Sequence, residues 1–365
     1  MLRPCPWRTP MLLYDPDIAI RFSAYGFQIP DPGDRAARVI CDLLEPGSQT
    51  TNPDAVSTEC HLDGARQSVL LEPASAEDLA RVHTQEYLDV ILSDDPSPAL
   101  HVVYELFDEQ GRPNRYDPAA ATLPLTDLVD RARRHVAGTI RAVAIALDPA
   151  NAGRFCYFLG GGMHHGMAGE GRGFCPFNDI VAALRAARAA GTAKRFWIID
   201  TDAHRGDGTA ALCLEDPDTA TLSIHMASGW PLDGPFCEAD GRLHRARIPS
   251  TLDIPVAEGC DAFYLPALEK GLHTLESVTH ANWNGAGPDA AIVVAGCDPY
   301  KHDELSSARP LQLTLEQLGQ RDRLVHRFLA QRSIPQAWIM AGGYGSRAHE
   351  PVTQFLRYAA SEGLI

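Results

Sequence analysis

Six short apolar runs constrain this chain more than any other feature: residues 11–14, 155–159, 196–199, 220–224, 290–295 and 337–340. They are largely continuous rather than alternating. Strands buried on both faces of a parallel sheet read this way. Helical periodicity fills the gaps between them. Leu79, Val82, Leu88 and Leu92 belong to one such segment, opened by Ser75 with Asp78 three residues on, a capping-box pattern. Residues 125–147, 179–190, 262–278, 315–329 and 352–359 also read as helices. Buried strand alternating with helix predicts an α/β sheet with helices on both faces. Residues 46–53 and 94–98 read as loops, rich in Pro, Asp, Ser and Thr. Neither proves a boundary, and no internal repeat or low-complexity tract is visible, so 1–365 is read as one domain. A chain of 365 residues buries about three quarters of its unfolded surface, enough for one large core.

Composition removes several function classes. Hydrophobic residues at 45 % are too plentiful for a disordered chain. No run approaches the ~18 apolar residues of a membrane-spanning helix. The balance of 32 basic against 47 acidic residues, a net of −15, argues against direct nucleic-acid binding, which needs a basic face. It suits cationic partners such as lysine-rich peptides or polyamines. The nine cysteines form no C-x-x-C pair, which removes a zinc knuckle and a thioredoxin-like motif. Several, such as Cys156 and Cys297, sit in strand-like runs and read as small buried hydrophobes with reduced thiols. Residues 1–10 hold charges and prolines rather than the apolar stretch of a signal peptide, so the expected address is the cytoplasm.

Ligands in such sheets bind beyond the carboxyl ends of the strands. The residues just after each apolar run therefore matter most. They read GGGMHHGMAGEGRGFC with His164 and His165, DTDAHRGDG with Asp200, Asp202, His204 and Asp207, His225 followed by Trp230, GCD with Asp298, and AGGYG with Tyr344. Residues i and i+2 of an extended chain project the same way. Asp202 and His204 can thus reach one metal, with Asp298 as a third ligand from another strand. Three N/O ligands and an open position make a catalytic zinc pattern, although ligand type alone also allows Fe(II) or Co(II). Each motif alone is weak, since an Asp/His cluster after a strand is more often a hydrogen-bonded loop end.

The combination, in this order, resembles the histone deacetylase family of zinc-dependent amidohydrolases, which includes acetylpolyamine amidohydrolases. The motifs run from Gly160 to Gly345 in family order, and VHTQEYL from Val82 extends the similarity towards the N-terminus. The resemblance implies an arginase-like single domain with a mostly parallel eight-stranded sheet. It implies Asp202, His204 and Asp298 as ligands of Zn²⁺, and His164 and His165 as the tandem active-site histidines. Asp200 would back His164, and Asp207 would back His165. Tyr344 would donate a hydrogen bond to the reacting carbonyl. Phe174, with Gly173 before it, would form one aromatic wall of the acyl-lysine tunnel, and Trp230 the opposite wall. A structural K⁺ is implied on residues matching Asp200, Asp202, His204, Ser223 and Ile224. Tyr116-Asp117-Pro118 is placed at the loop whose aspartate grips the substrate backbone. Three departures from the family pattern are placed on rim loops: Pro299-Tyr300 after the third ligand, Arg205 after His204, and GGYG in place of a longer glycine run.

Zinc with two aspartates and a neutral histidine carries little net charge. A three-histidine site keeps +2 and lowers the pKa of bound water to about 7. A weaker acidifier needs a neighbouring base, and His165 oriented by Asp207 is placed in that role. His61, His101, His244 and His326 are assigned none. The leading expectation is a deacylase acting on acyl-lysine in proteins or peptides, with an acylated polyamine as the alternative in the same reaction class. A ureohydrolase of the arginase type remains open because Asp202-Ala203-His204 resembles its D-A-H motif, but it needs two manganese ions and a second D-x-D cluster. A degenerate member that binds acyl-lysine as a scaffold also remains, as does a homo-oligomer.

Overall fold

Seven parallel strands form one sheet: β1 (Leu12–Leu13), β2 (Phe155–Phe158), β3 (Phe196–Asp200), β4 (Thr219–Met226), β5 (Leu252–Val256), β6 (Ala290–Ala295) and β7 (Gln336–Met340). Their spatial order is β1-β2-β7-β6-β3-β4-β5. The computed structural model describes residues 11–31, 33–44, 70–108 and 110–365. The readings made at residues 1–10, at 46–53 and at His61 lie outside the described residues.

Every one of the six apolar runs is a strand, and the reason is visible in the packing. Alternate residues of β1, β2, β3, β6 and β7 enter opposite cores, whereas β4 gives Ala220, Leu222, Ile224 and Met226 to one core and carries Thr219, Thr221, Ser223 and His225 on its other face. Cys156 and Phe158, Ile292 and Val294, and Ala337 and Ile339 join the core on one face. Phe155 and Tyr157, Ala291 and Val293, and Trp338 and Met340 join the other. With both faces buried, the central strands are mostly apolar at consecutive positions. One face is covered by helices that include α5 (Asp127–Leu147) and α6 (Asp179–Ala189). The other is covered by α1 (Arg35–Leu44), α8 (Tyr264–Asn282), α9 (Leu315–Ala330) and α10 (Glu350–Ser361).

The described residues give seven strands where the resemblance implied eight. The two edges are weak. β1 is two residues long, and β5 carries Pro255, which lacks a backbone donor and is tolerated at an edge. β5 is also the strand that apolar runs could not reveal, because its residues are mostly half-exposed. The helical segment opened by Ser75 is two helices, α2 (Ala76–Ala80) and α3 (Gln85–Ile91). The Ser75–Asp78 capping box forms as expected, and Thr84 starts the second helix by accepting from the Tyr87 N–H. The expected loop at 94–98 runs into a further helix, α4 (Ser97–Val103), and α7 (Asp207–Cys213) follows the DTDAHRGDG motif.

Candidate active site

The chain order of the sheet reverses between β3 and β6. From β3 the chain moves outward to β4 and β5, then returns to lay β6 and β7 on the other side. A crevice opens at such a switch point, beyond the strand ends. Asp202 and His204 follow β3 and Asp298 follows β6, so the crevice brings them together. All three are buried, and their ligand atoms lie within 4.8 Å of one another. His204 Nδ1 is 2.9 Å from Asp298 Oδ2 and 3.3 Å from Asp202 Oδ1. Backbone donors fix the outer carboxylate oxygens. The Ala203 N–H donates to Asp298 Oδ1 at 2.9 Å, and the Gly342 N–H to Asp202 Oδ2 at 2.9 Å. A Cβ on Gly342 would sit 2.5 Å from Asp202 Oδ2 and 2.8 Å from Asp298 Oδ2, so only glycine leaves the pair this room.

The electrostatics of this cluster draw positive charge towards its two carboxylates. Burial and the neighbouring Asp202 charge push the Asp298 carboxyl up to about 6. Burial alone would neutralise His204, but hydrogen bonds and charges from Asp202 and Asp298 outweigh it and raise the imidazole to about 10. Against its own burial, Asp202 is held below the usual carboxylate range by His164 and His204. Two close buried carboxylates and one imidazole are a donor set that suits a divalent transition metal, zinc included.

Two histidine–aspartate pairs flank the cluster. His164 Nδ1 donates to Asp200 Oδ2 at 2.7 Å, and its Nε2 is 3.7 Å from Asp202 Oδ1. His165 Nδ1 donates to Asp207 Oδ1 at 2.7 Å. The loop before them is tied down by Asp179, the first residue of α6, which accepts from the Gly162 and Met163 N–H groups at 3.0 and 2.7 Å. Gly162 has φ +83° and leaves no space for a Cβ against Ala341, so glycine is required there.

His164, His165, Asp202, His204 and Asp298 line one cavity of about 350 Å³, together with Gly173, Phe174, Trp230 and Tyr344. The Phe174 ring lies 6.1 Å from Tyr344 and 5.7 Å from Phe22. Trp230 meets His165 edge-on at 4.4 Å and His204 at 5.8 Å. The Tyr344 backbone N–H donates to Asp303 Oδ2 at 2.7 Å. Burial and the charges of Asp298 and Asp202 push the Tyr344 phenol well above its usual range, so it stays a donor at neutral pH.

Asp200 and Ser223, assigned to the potassium set, are register partners on β3 and β4, with Ile224 next in the strand. Ser223 Oγ hydrogen-bonds His225 Nδ1 at 3.1 Å, and Asp200 Oδ1 accepts the Asp202 N–H at 3.1 Å. Asp117 is not among the cavity-lining residues. It caps a short 3-10 turn by accepting the Ala119 N–H, while Arg115 and Glu105, paired at 3.2 Å, line the cavity instead. Sequence reasoning missed that pair and also Ser307, whose Oγ is 3.1 Å from His204 Nε2. It also missed Arg172, whose Nη1 donates to Asp207 Oδ2 at 2.8 Å. None follows an apolar run directly. His101, His244 and His326 lie outside the cavity lining; His326 is buried and satisfied by Gln336 at 3.1 Å.

Comparison with known proteins agrees with this arrangement. Histone deacetylase 2 of Arabidopsis thaliana is 27 % identical over 302 residues, covering 82 % of this chain and 69 % of its own length. The acetoin utilization protein AcuC of Bacillus subtilis is 30 % identical over 281 residues, covering 74 % of this chain and 65 % of its own. The chain thus spans about two thirds of the length of these relatives. Among solved structures, a homologue of histone deacetylases from Aquifex aeolicus superposes with TM-score 0.64 at 19 % identity, covering 96 % of this chain and 83 % of its own. An acetylpolyamine aminohydrolase from Burkholderia pseudomallei superposes with TM-score 0.63, also at 19 % identity, covering 96 % and 98 %. These two establish the shared fold. Residues 39–358 match the histone deacetylase domain, and the chain belongs to the histone deacetylase family.

Proposed function

We propose that the chain is a zinc-dependent amidohydrolase that removes an acyl group from the side-chain amine of acyl-lysine in a protein or peptide. One observation carries the reading: a three-donor cluster, two histidine–aspartate pairs and a tyrosine converge on a single aromatic-lined cavity. Asp202, His204 and Asp298 would hold the zinc, which when bound supplies Lewis-acid polarisation of the amide carbonyl. His165 keeps Nδ1 on Asp207, which leaves Nε2 to take a proton from the attacking water and pass it to the leaving amine. The Tyr344 hydroxyl donates to the carbonyl oxygen as negative charge develops there. His164, held by Asp200, adds positive charge beside it. Phe174 and Trp230 supply aromatic surface for the methylenes of the lysine chain, and Gly173 lets Trp230 approach.

A potassium ion on Asp200, Asp202, His204, Ser223 and Ile224 belongs to the same reading; the pairing of Asp200 with Ser223 supports it. So does a reducing cytoplasm, which fits the buried thiols Cys156, Cys175, Cys213 and Cys297. No helix among the described residues is long and apolar enough to cross a membrane. A binuclear ureohydrolase is disfavoured, because the one three-residue cluster among the described residues has a single histidine and two aspartates.

Metal analysis together with a screen of acetyl-lysine peptides, longer acyl-lysines and acylated polyamines tests the proposal. One zinc per chain and hydrolysis of an acyl-lysine peptide are expected. Asp202→Ala should abolish activity and most zinc binding. Full zinc occupancy in that variant would overturn the ligand assignment, and preference for polyamine amides would move the substrate to the second class.

A further inference from the structure

The loop between His165 and α6 makes a two-residue reversal. The Cys175 N–H donates to the Arg172 carbonyl at 2.9 Å, and the Arg172 N–H to the Cys175 carbonyl at 3.2 Å. Gly173 and Phe174 at its tip both have positive φ, +54° and +65°. Tight hairpin turns take this conformation, and a bulky residue holds it only where surrounding contacts over-determine it. The Gly173 position admits no side chain, since a Cβ would fall 2.2 Å from the Trp230 ring. The reversal therefore presses flat against Trp230 and points Phe174 into the cavity.

Arg172, at the base of the reversal, makes two contacts that join different parts of the site. Its Nη1 donates at 2.8 Å to Asp207 Oδ2, the oxygen that His165 does not use. Its Cζ lies over the Trp230 ring, 5.3 Å from the centroid. Asp207 is fully buried, and the Arg172 side chain keeps only 15 % of its surface exposed. A buried carboxylate with one oxygen on a neutral imidazole needs a second charged partner to stay ionised. Trp230 in turn meets His165 edge-on. Arg172, Asp207, His165 and Trp230 thus form a closed ring of contacts in which one guanidinium serves both the proton-handling pair and the aromatic wall.

We propose that Arg172 is a positioning residue that locks the His165–Asp207 pair and the Trp230 wall into one unit. The inference rests on the proposed roles of His165 and Trp230. A planar guanidinium suits both tasks, because it donates along its edge and stacks through its face. Lysine can replace the charge but not the stack, and methionine can cover the indole but not hold the carboxylate.

Those two substitutions separate the halves of the proposal. With an acyl-lysine peptide, Arg172→Met should lower kcat by roughly 10–100-fold, the usual loss when a partner behind an active-site group is removed. Arg172→Lys should recover most of kcat yet raise KM by roughly 3–10-fold, the order of a lost cation–π contact. Zinc content should stay at one per chain in both. The emission of Trp230, taken as the difference between each protein and its Trp230→Phe counterpart, should shift to the red in Arg172→Lys. Wild-type kcat and KM in both variants, or a lowered melting temperature with unchanged kinetics, would overturn the proposal and leave Arg172 a packing residue. Should Arg172→Met not fold, Arg172→Lys decides alone: unchanged KM and unchanged Trp230 emission reject the clamp. If the wild type hydrolyses no amide at all, the functional reading fails on its own, and the emission difference still reports whether Arg172 holds Trp230.

Discussion

His164 and His165 are neighbours in the chain, and each donates Nδ1–H to a buried aspartate at 2.7 Å, yet the protein's own charges drive them apart. Burial disfavours the charged form of both. At His164 the charges of Asp200 and Asp202 outweigh it and raise the imidazole to about 9. At His165 burial prevails, helped by the positive neighbours His164 and Arg172, and the imidazole falls well below its usual range. The bond each histidine makes is the same; what stands behind the bond differs. Asp200 sits beside another carboxylate, and Asp207 sits beside a guanidinium. Carboxylate–imidazole distance alone therefore cannot assign a proton. The pair with a compensated aspartate keeps its imidazole neutral at pH 7, the form a general base needs, and the pair with surplus negative charge favours the imidazolium, the form that would stabilise a developing oxyanion.

Replacing the two histidines in turn is the most direct way to break this comparison. His165→Ala should lower kcat by roughly 10²–10⁴, the range for a positioned acid–base group. His164→Ala should cost less, because it removes charge stabilisation without removing the proton carrier. Single-turnover rates with one acyl-lysine substrate read both. A larger loss in His164→Ala would invert the roles and leave the Arg172–Asp207 contact without its proposed consequence. Tyr344→Phe comes next. Loss of one oxyanion donor usually costs roughly 10²–10³ in kcat, and zinc content should be unchanged. Tyr344 is held through its backbone by Asp303 and through its ring by Phe22 and Phe174, outside the Arg172–Asp207–His165 contacts, so its loss should add to that of an Arg172 variant in the logarithm of the rate. Near-normal turnover in Tyr344→Phe would make it a packing residue.

The parts of this molecule that sequence made legible share a property: their chemistry is local in the chain. Six strands could be read because burial on both faces removes polar residues from consecutive positions. The Asp202–His204–Asp298 cluster could be read because each of its residues lies within four residues of a strand end. β5 escaped because Leu252–Val256 lies at an edge, half-exposed and interrupted by Pro255. Arg172 escaped for a different reason. An arginine in a glycine-rich loop reads as a solvated charge, and its partner Asp207 lies 35 residues away. Trp230 is more distant still, after β4. At Asp117 the Tyr-Asp-Pro pattern was legible, and its side chain accepts from its own Ala119 backbone; Arg115 and Glu105, which line the cavity beside it, carried no such pattern.

The smallest expected effect sharpens the comparison by showing what neither histidine controls. Phe174 shares its reversal with Arg172 but touches neither aspartate; its ring packs on Phe22, Tyr104 and Tyr344. If the cavity grips a linear chain, each methylene covered contributes about 0.8 kcal/mol. Truncating one wall should then weaken binding while the proton path stays intact. Phe174→Ala should raise KM by roughly 10-fold, within the 1–3 kcal/mol of a lost hydrophobic contact, with kcat much less affected. Shortening the amine arm of the substrate should reproduce the KM change in the wild type and add little in the variant, because the contact is already gone. A fall in kcat comparable to that of Arg172→Met would show that the turn acts as one rigid piece, with Phe174 supporting the His165 side through the backbone. An unchanged KM, or a wild-type preference for short branched amides, would instead mean that the aromatic pair belongs to the core and that the slot does not exist.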